Sequence, residues 1–156
     1  MSAPHKTETA ASVPAGMKEL TFMGYMEVNG PLWGRIDDDG LPVMGFRVEA
    51  RHCNPMQTCH GGMLMTFADM LLGFTVSVAV GGKKFLPTVS LSGDYVGPAP
   101  LGSWVEGKGR LIRATRSLGF AEALITADGA AAVRTSGIMK IPSQETRDSD
   151  VLRLFR

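Results

Sequence analysis

Between Gly61 and Val80 the chain carries no charged side chain except Asp69. The run reads GGMLMTFADMLLGFTVSVAV and follows His60 directly. A helix apolar on nearly every side needs cover on nearly every side. A lone carboxylate inside it loses solvation and needs a compensating partner or task. The run has the length of a membrane span. Asp69 near its centre, two glycines at its start and strand-like segments after it favour a buried core helix instead. A helix beginning at Gly61 would offer free backbone N–H groups, and the positive end of its dipole, to an oxyanion.

The rest of the chain fits one globular domain. At 156 residues, 44% hydrophobic and 20% charged, it is long enough to bury a real core. A net charge of +1 gives no basic surface for nucleic acid or an anionic membrane. Cys53 and Cys59 are too few for a disulfide framework and fit a reducing cytoplasm. Residues 1–16 have no apolar signal region and read as a disordered tail. The domain is expected over 17–142, with 143–156 a second tail whose VLRLFR end suits a short amphipathic helix.

Turn signals at Gly30-Pro31 and at Asp37 to Gly40 bracket a short strand, Leu32 to Ile36. Val43 to Ala50 alternates as a second strand, and Arg51 to Cys59 is a loop. Gly81-Gly82 ends the helix. From there the period changes from 3.6 to 2. Pro87 to Val96 reads as a half-buried strand, with Thr88, Ser90, Ser92 and Asp94 on one face and Val89, Leu91 and Tyr95 on the other. Trp104 to Ala114, Gly119 to Ala127 and Ala130 to Ile141 are three more strands, the last two joined by the hairpin signal Asp128-Gly129. The predicted class is α+β, with a long central helix wrapped by a curved antiparallel sheet.

At about 100° per residue, Gly62, Thr66, Asp69, Gly73 and Ser77 share one stripe of the helix, and every large side chain lies off it. Such a stripe serves either close packing against a neighbour or room for a ligand beside the carboxylate. A packing seam has no use for Asp, which favours a site. The His52-Cys53 and Cys59-His60 pairs invite a zinc reading, but their spacing matches no zinc module and no metal is expected. Met56, Met63 and Met65 suit an adaptable pocket lining.

Asn54, His60-Gly61-Gly62 and Asp69, in the order N-x5-HGG-x6-D, resemble the PaaI-type acyl-CoA thioesterases of the hotdog-fold superfamily. The resemblance runs from about Gly45 to Ile141 and includes TVSLSGDYVGPAPLG, with its Tyr-x-x-Pro-x-x-x-Gly turn. It implies a homodimer with one continuous sheet, possible pairing into tetramers, and active sites at the dimer interface. It also implies a catalytic carboxylate at Asp69 and an oxyanion-hole amide at Gly61. Asn54 would place water or the carbonyl, His60 would orient the loop, and Thr88 would supply a strand hydroxyl. Gly62, Thr66 and Gly73 would face the substrate, and Arg116 and Ser117 would approach the CoA phosphates. No cofactor is implied.

Two positions depart from the pattern. Gln57 stands where relatives often carry Gly, so a loop needing positive φ would be strained there. Thr115 replaces the usual Gly before Arg116. Chemically, Gly61 N–H would stabilise the oxyanion, while Asp69 would act as general base on water or as nucleophile. Two other readings remain open at this stage: a hotdog protein that binds acyl-CoA without turnover, and a hotdog hydratase using an acid and a His.

Overall fold

The computed structural model describes residues 12–145 and 150–156. The expected N-terminal tail therefore falls mostly outside the described residues. Three strands precede the long helix: β1 (Lys18–Leu20), β2 (Leu32–Ile36) and β3 (Pro42–Arg47), with a short helix α1 (Tyr25–Asn29) between the first two. The long helix, α2, spans Gly61–Ala79. Four strands follow: β4 (Thr88–Tyr95), β5 (Trp104–Ala114), β6 (Leu118–Ala127) and β7 (Ala130–Lys140). They form one antiparallel sheet in the order β1-β2-β3-β5-β6-β7-β4.

The sheet wraps α2, which packs against β3 through β7. Leu64, Phe67, Ala68, Leu71, Leu72 and Val76 are buried against Met44, Phe46, Val105, Ile125 and Val133. A helix long and apolar enough to cross a membrane is thus the core of this domain. Register shifts at Leu111/Arg113 and Ile125/Thr126 mark bulges that bend the long strands around it. Asp128 and Gly129 both take positive φ, 47° and 83°, the two-residue turn that DG signals between β6 and β7. At the other end of α2, the Gly82 N–H returns to the Ser77 carbonyl at 2.7 Å, which closes the helix as the double glycine predicts.

Two expectations need correction. The alternation through β4 places Thr88 with Ser90, Ser92 and Asp94, but a bulge at Val89 shifts the register between Thr88 and Ser90. Thr88 then joins Leu91 and Tyr95 on the side facing α2, where its hydroxyl reaches Asp69. Nor is β4 half-buried: it is an edge strand with one neighbour, and most of its residues are exposed. β1 was absent from the sequence reading. In the expected C-terminal tail, Val151–Phe155 forms a 3₁₀ turn, while residues 146–149 lie outside the described residues. Phe155 is buried edge-to-face on Phe74, 5.9 Å between centroids, and over Gly34 of β2.

Candidate active site

The start of α2 is built around its two glycines. His60 caps the helix in an extended conformation, and its Nδ1 accepts the Gly62 N–H at 2.9 Å. This leaves the Gly61 N–H, at the first helical position, without an acceptor among the described residues. Tyr95 at the end of β4 lies across Gly61, its hydroxyl donating to the Gly61 carbonyl at 2.8 Å. A Cβ on Gly61 would meet the Tyr95 ring at 3.2 Å, so the close approach depends on glycine. His60 is therefore a helix cap in this structure, and its Nδ1 is engaged in that role.

The preceding loop is tied into the same end of the helix. His60 N–H donates to the His52 carbonyl at 2.7 Å, and Cys59 N–H to Ala99 at 2.7 Å. Asn54 Oδ1 accepts from Met56 N–H at 2.9 Å, Thr58 N–H at 3.4 Å and the Thr58 hydroxyl at 3.2 Å. That acceptor is spent inside the loop, so any contact of Asn54 with a substrate would come from its amide nitrogen. Gln57 adopts φ 58°, the left-handed conformation the sequence pattern calls for. A side chain there costs about 1–2 kcal/mol.

His52 lies 4% exposed beneath this loop, edge-on to Phe46 at 5.4 Å. Its Nδ1 accepts the Glu49 N–H at 3.0 Å, and its Nε2 is buried with no hydrogen-bond partner among the described residues. Burial, with Arg51 nearby, holds its pKa below the usual histidine value. Burial pushes the Cys59 thiol up to about 12. Among the described residues no cluster of three or more His, Cys, Asp or Glu could hold a metal.

Asp69 sits two turns beyond Gly61. Its Oδ1 accepts the Thr88 hydroxyl at 2.6 Å, and no donor reaches Oδ2 among the described residues. Two adjoining clefts meet at this carboxylate. The smaller, about 300 Å³, is lined by Tyr25, Met26, Gly62, Met65 and Thr66. The larger, about 650 Å³, runs past Met70, Gly73, Phe74 and Ser77. Gly62, Thr66, Asp69 and Gly73 of the small-residue stripe thus face open space, while Ser77 at its end is buried and donates to the Lys84 carbonyl at 3.0 Å. Thr66 is fixed by bonds to the Gly62 carbonyl at 3.0 Å and to the Tyr25 hydroxyl at 3.2 Å.

Arg116 and Ser117 are not gathered here. They occupy the exposed β5–β6 turn, capped by Thr115 Oγ1, and line neither cleft at Asp69. Tyr25 and Tyr95 were missed as site residues. Tyr95 had a visible signal, since it sits in the Tyr-x-x-Pro-x-x-x-Gly turn on the apolar face of its strand. Tyr25 had none.

The thioesterase superfamily model matches residues 56–133. A candidate esterase of Pseudomonas aeruginosa is 30% identical over 132 residues, 84% of this chain and 98% of that protein. Among solved structures, a hypothetical thioesterase from Streptococcus pneumoniae, crystallised with coenzyme A, superposes with a TM-score of 0.65. It is 22% identical and covers 74% of this chain and 88% of that one. A substituted form of the phenylacetic acid degradation protein PaaI from Thermus thermophilus gives 0.66 at 22% identity, over 76% and 98% of the two chains. The chain belongs to the thioesterase superfamily, with the hotdog fold of its PaaI-type members, and is a thioester hydrolase.

Proposed function

We propose that this chain hydrolyses acyl-CoA thioesters to the free acid and CoA, at sites each shared between two copies of the chain. The observation that carries this is the separation of the two reactive groups. Gly61 and Asp69 are eight residues apart on one helix, about 12 Å along its axis. The carbonyl that Gly61 N–H polarises and the group that attacks it must meet within about 3–3.5 Å. A single chain does not offer both.

A second copy does. β4 is a free edge, with Val89 57% and Tyr95 53% exposed, and such an edge invites another strand. Thr88 at one end of β4 holds Asp69, and Tyr95 at the other end holds Gly61. Antiparallel pairing of β4 with its own copy about a two-fold axis puts the Thr88 end of one strand opposite the Tyr95 end of the other. Asp69 of each subunit then approaches Gly61 of its partner.

In that arrangement the Gly61 N–H and the helix dipole stabilise the developing oxyanion. Asp69, steadied by Thr88 through Oδ1, uses its free Oδ2 as general base on water or as nucleophile. Water adds its oxygen to the carbonyl carbon, the C–S bond breaks, and CoA leaves as the thiol. The coenzyme A in the Streptococcus structure supports the leaving group. Arg116 and Ser117 line neither cleft of the single chain and carry no step of this reading. Gln57 in the left-handed conformation weakens the case for a binding protein without turnover. Two free cysteines fit a reducing cytoplasm, where we place the protein.

The direct test is thiol release from a panel of acyl-CoAs by wild type and Asp69→Asn. The variant keeps an acceptor for Thr88, so it should fold normally and lose about 100- to 10,000-fold in turnover. Wild-type turnover by a folded Asp69→Asn protein would overturn the assignment.

A further inference from the structure

The larger cleft leaves Asp69 in the direction away from Gly61 and follows α2 toward its C-terminal end, past Gly73 to Ser77. Its walls come from segments outside the sequence motif. On one side lies the strap before and within α1, with Phe22, Met23 and Met26. Tyr25 fastens that strap to Thr66, and Phe22 stacks on Phe74 with centroids 6.0 Å apart. Opposite are Phe85, Leu86 and Pro87, which lead into β4. Val151 and Leu154 of the C-terminal 3₁₀ turn close the far side.

We propose that the cleft holds the acyl chain of the substrate, that the chain is a straight aliphatic one of roughly eight to ten carbons, and that Gly73 sets how far it can enter. The proposal rests on the thioesterase reading of Asp69 given above. Three observations carry it. The cleft begins at the carboxylate that meets the thioester carbon. Its lining is dominated by apolar side chains, three of them flexible methionines (Met23, Met26 and Met70) that adapt to the shape of a flexible chain. Its length suits a chain: Asp69 to Ser77 is about 12 Å along the axis, and an extended chain advances about 1.2 Å per bond, so roughly ten bonds fit. Gly73 stands midway, and a Cβ there would meet nothing within 4 Å among the described residues, so any side chain at this position projects into the passage.

The test separates binding from turnover. Non-hydrolysable S-alkyl-CoA thioethers, from ethyl to dodecyl, are titrated by calorimetry into wild type, Gly73→Leu and Phe22→Ala. S-Phenethyl-CoA serves as the aryl comparison. Wild-type affinity should climb by about twofold or more per added methylene until the cleft is filled near decyl, then level off. Gly73→Leu should flatten that climb beyond about five carbons and lower decyl relative to ethyl binding at least about tenfold. Phe22→Ala, on the strap outside the sheet, should weaken decyl more than ethyl. Affinity independent of length, a climb that Gly73→Leu leaves intact, or phenethyl binding tighter than octyl would overturn the proposal. Length-dependent binding that Gly73→Leu blocks, with no hydrolysis of the matching acyl-CoAs by wild type, would leave the cleft assigned and the thioesterase reading refuted.

Discussion

A Cβ added to Gly109, on β5, collides with the Thr75 side chain. One added to Gly73, on the far side of the same helix, meets nothing within 4 Å among the described residues. Gly119 likewise collides with Val76, and a Cβ on Gly107 would lie 2.6 Å from Leu71. On the enclosed face of α2, glycines in the sheet bring backbone and helix into contact, so interior density is reached with no room to spare. On the open face, glycine makes a void beside a carboxylate. The same residue type thus builds a core on one side and a site on the other. Only the neighbours distinguish the two, and they come from distant parts of the chain.

The contrast is broken most severely from the enclosed side. Gly109→Val forces a branched side chain into Thr75 and should lose about 3 kcal/mol or more, seen as a lower urea midpoint or as failure to fold. Gly73→Ala should do the reverse, gaining about 0.5–1 kcal/mol, because alanine restricts the unfolded helix segment and finds free space. Equal losses for the two would erase the distinction between the faces.

An effect of similar size belongs to the loop before α2. Gln57 holds φ 58° at a position whose left-handed conformation suits glycine. Gln57→Gly should raise stability by about 1 kcal/mol in the same urea experiment. A loss would mean that the Gln57 side chain contributes more than its backbone strain removes.

The smallest concerns acid. His52 in the folded chain has its pKa held below 6.5 by burial, so on acidification the unfolded chain takes up a proton first. Stability from this group is fully present above about pH 6.5 and is lost as pH falls through that value toward the folded pKa. His52→Gln should therefore flatten the fall in urea midpoint between about pH 7 and pH 5. An unchanged slope would place the acid sensitivity elsewhere.

The enclosed face was the more legible of the two. Strand β2 falls where turn signals bracket it, α2 begins at the first glycine after His60, and β5 matches Trp104 to Ala114 end to end. Each rests on a local pattern of period 2 or 3.6, or on a capping residue. β1 escaped notice because three residues, KEL, are too few to show a period. The helix side of Thr88 was misread because one inserted residue, Val89, reverses every side chain before it. At the site, Asp69, Gly61 and the open stripe were visible from charge, glycine and helical spacing. The walls of the cleft were not, since Phe22 and Leu154 reach α2 from opposite ends of the chain and nothing local marks their meeting. Arg116 and Ser117 were proposed from the family pattern alone, and the structure leaves them on an exposed turn.

The claim that each site joins Gly61 of one subunit to Asp69 of its partner can be tested by complementation. Gly61→Pro removes the N–H at the first helical position, where the helix backbone accepts proline; its ring must displace Tyr95 by a few tenths of an ångström, so the variant is first checked to be folded and dimeric. His60, at φ −63° and ψ 138°, already has the conformation that a following proline requires. Gly61→Pro and Asp69→Asn proteins, each nearly inactive alone, are unfolded together in equal amounts, refolded and assayed for thiol release. If sites are shared, half of the dimers are mixed and each contains one site with both groups intact, so about a quarter of wild-type activity should return. If Gly61 and Asp69 act within one chain, every site carries a lesion, and the mixture will show no more activity than the two proteins assayed apart.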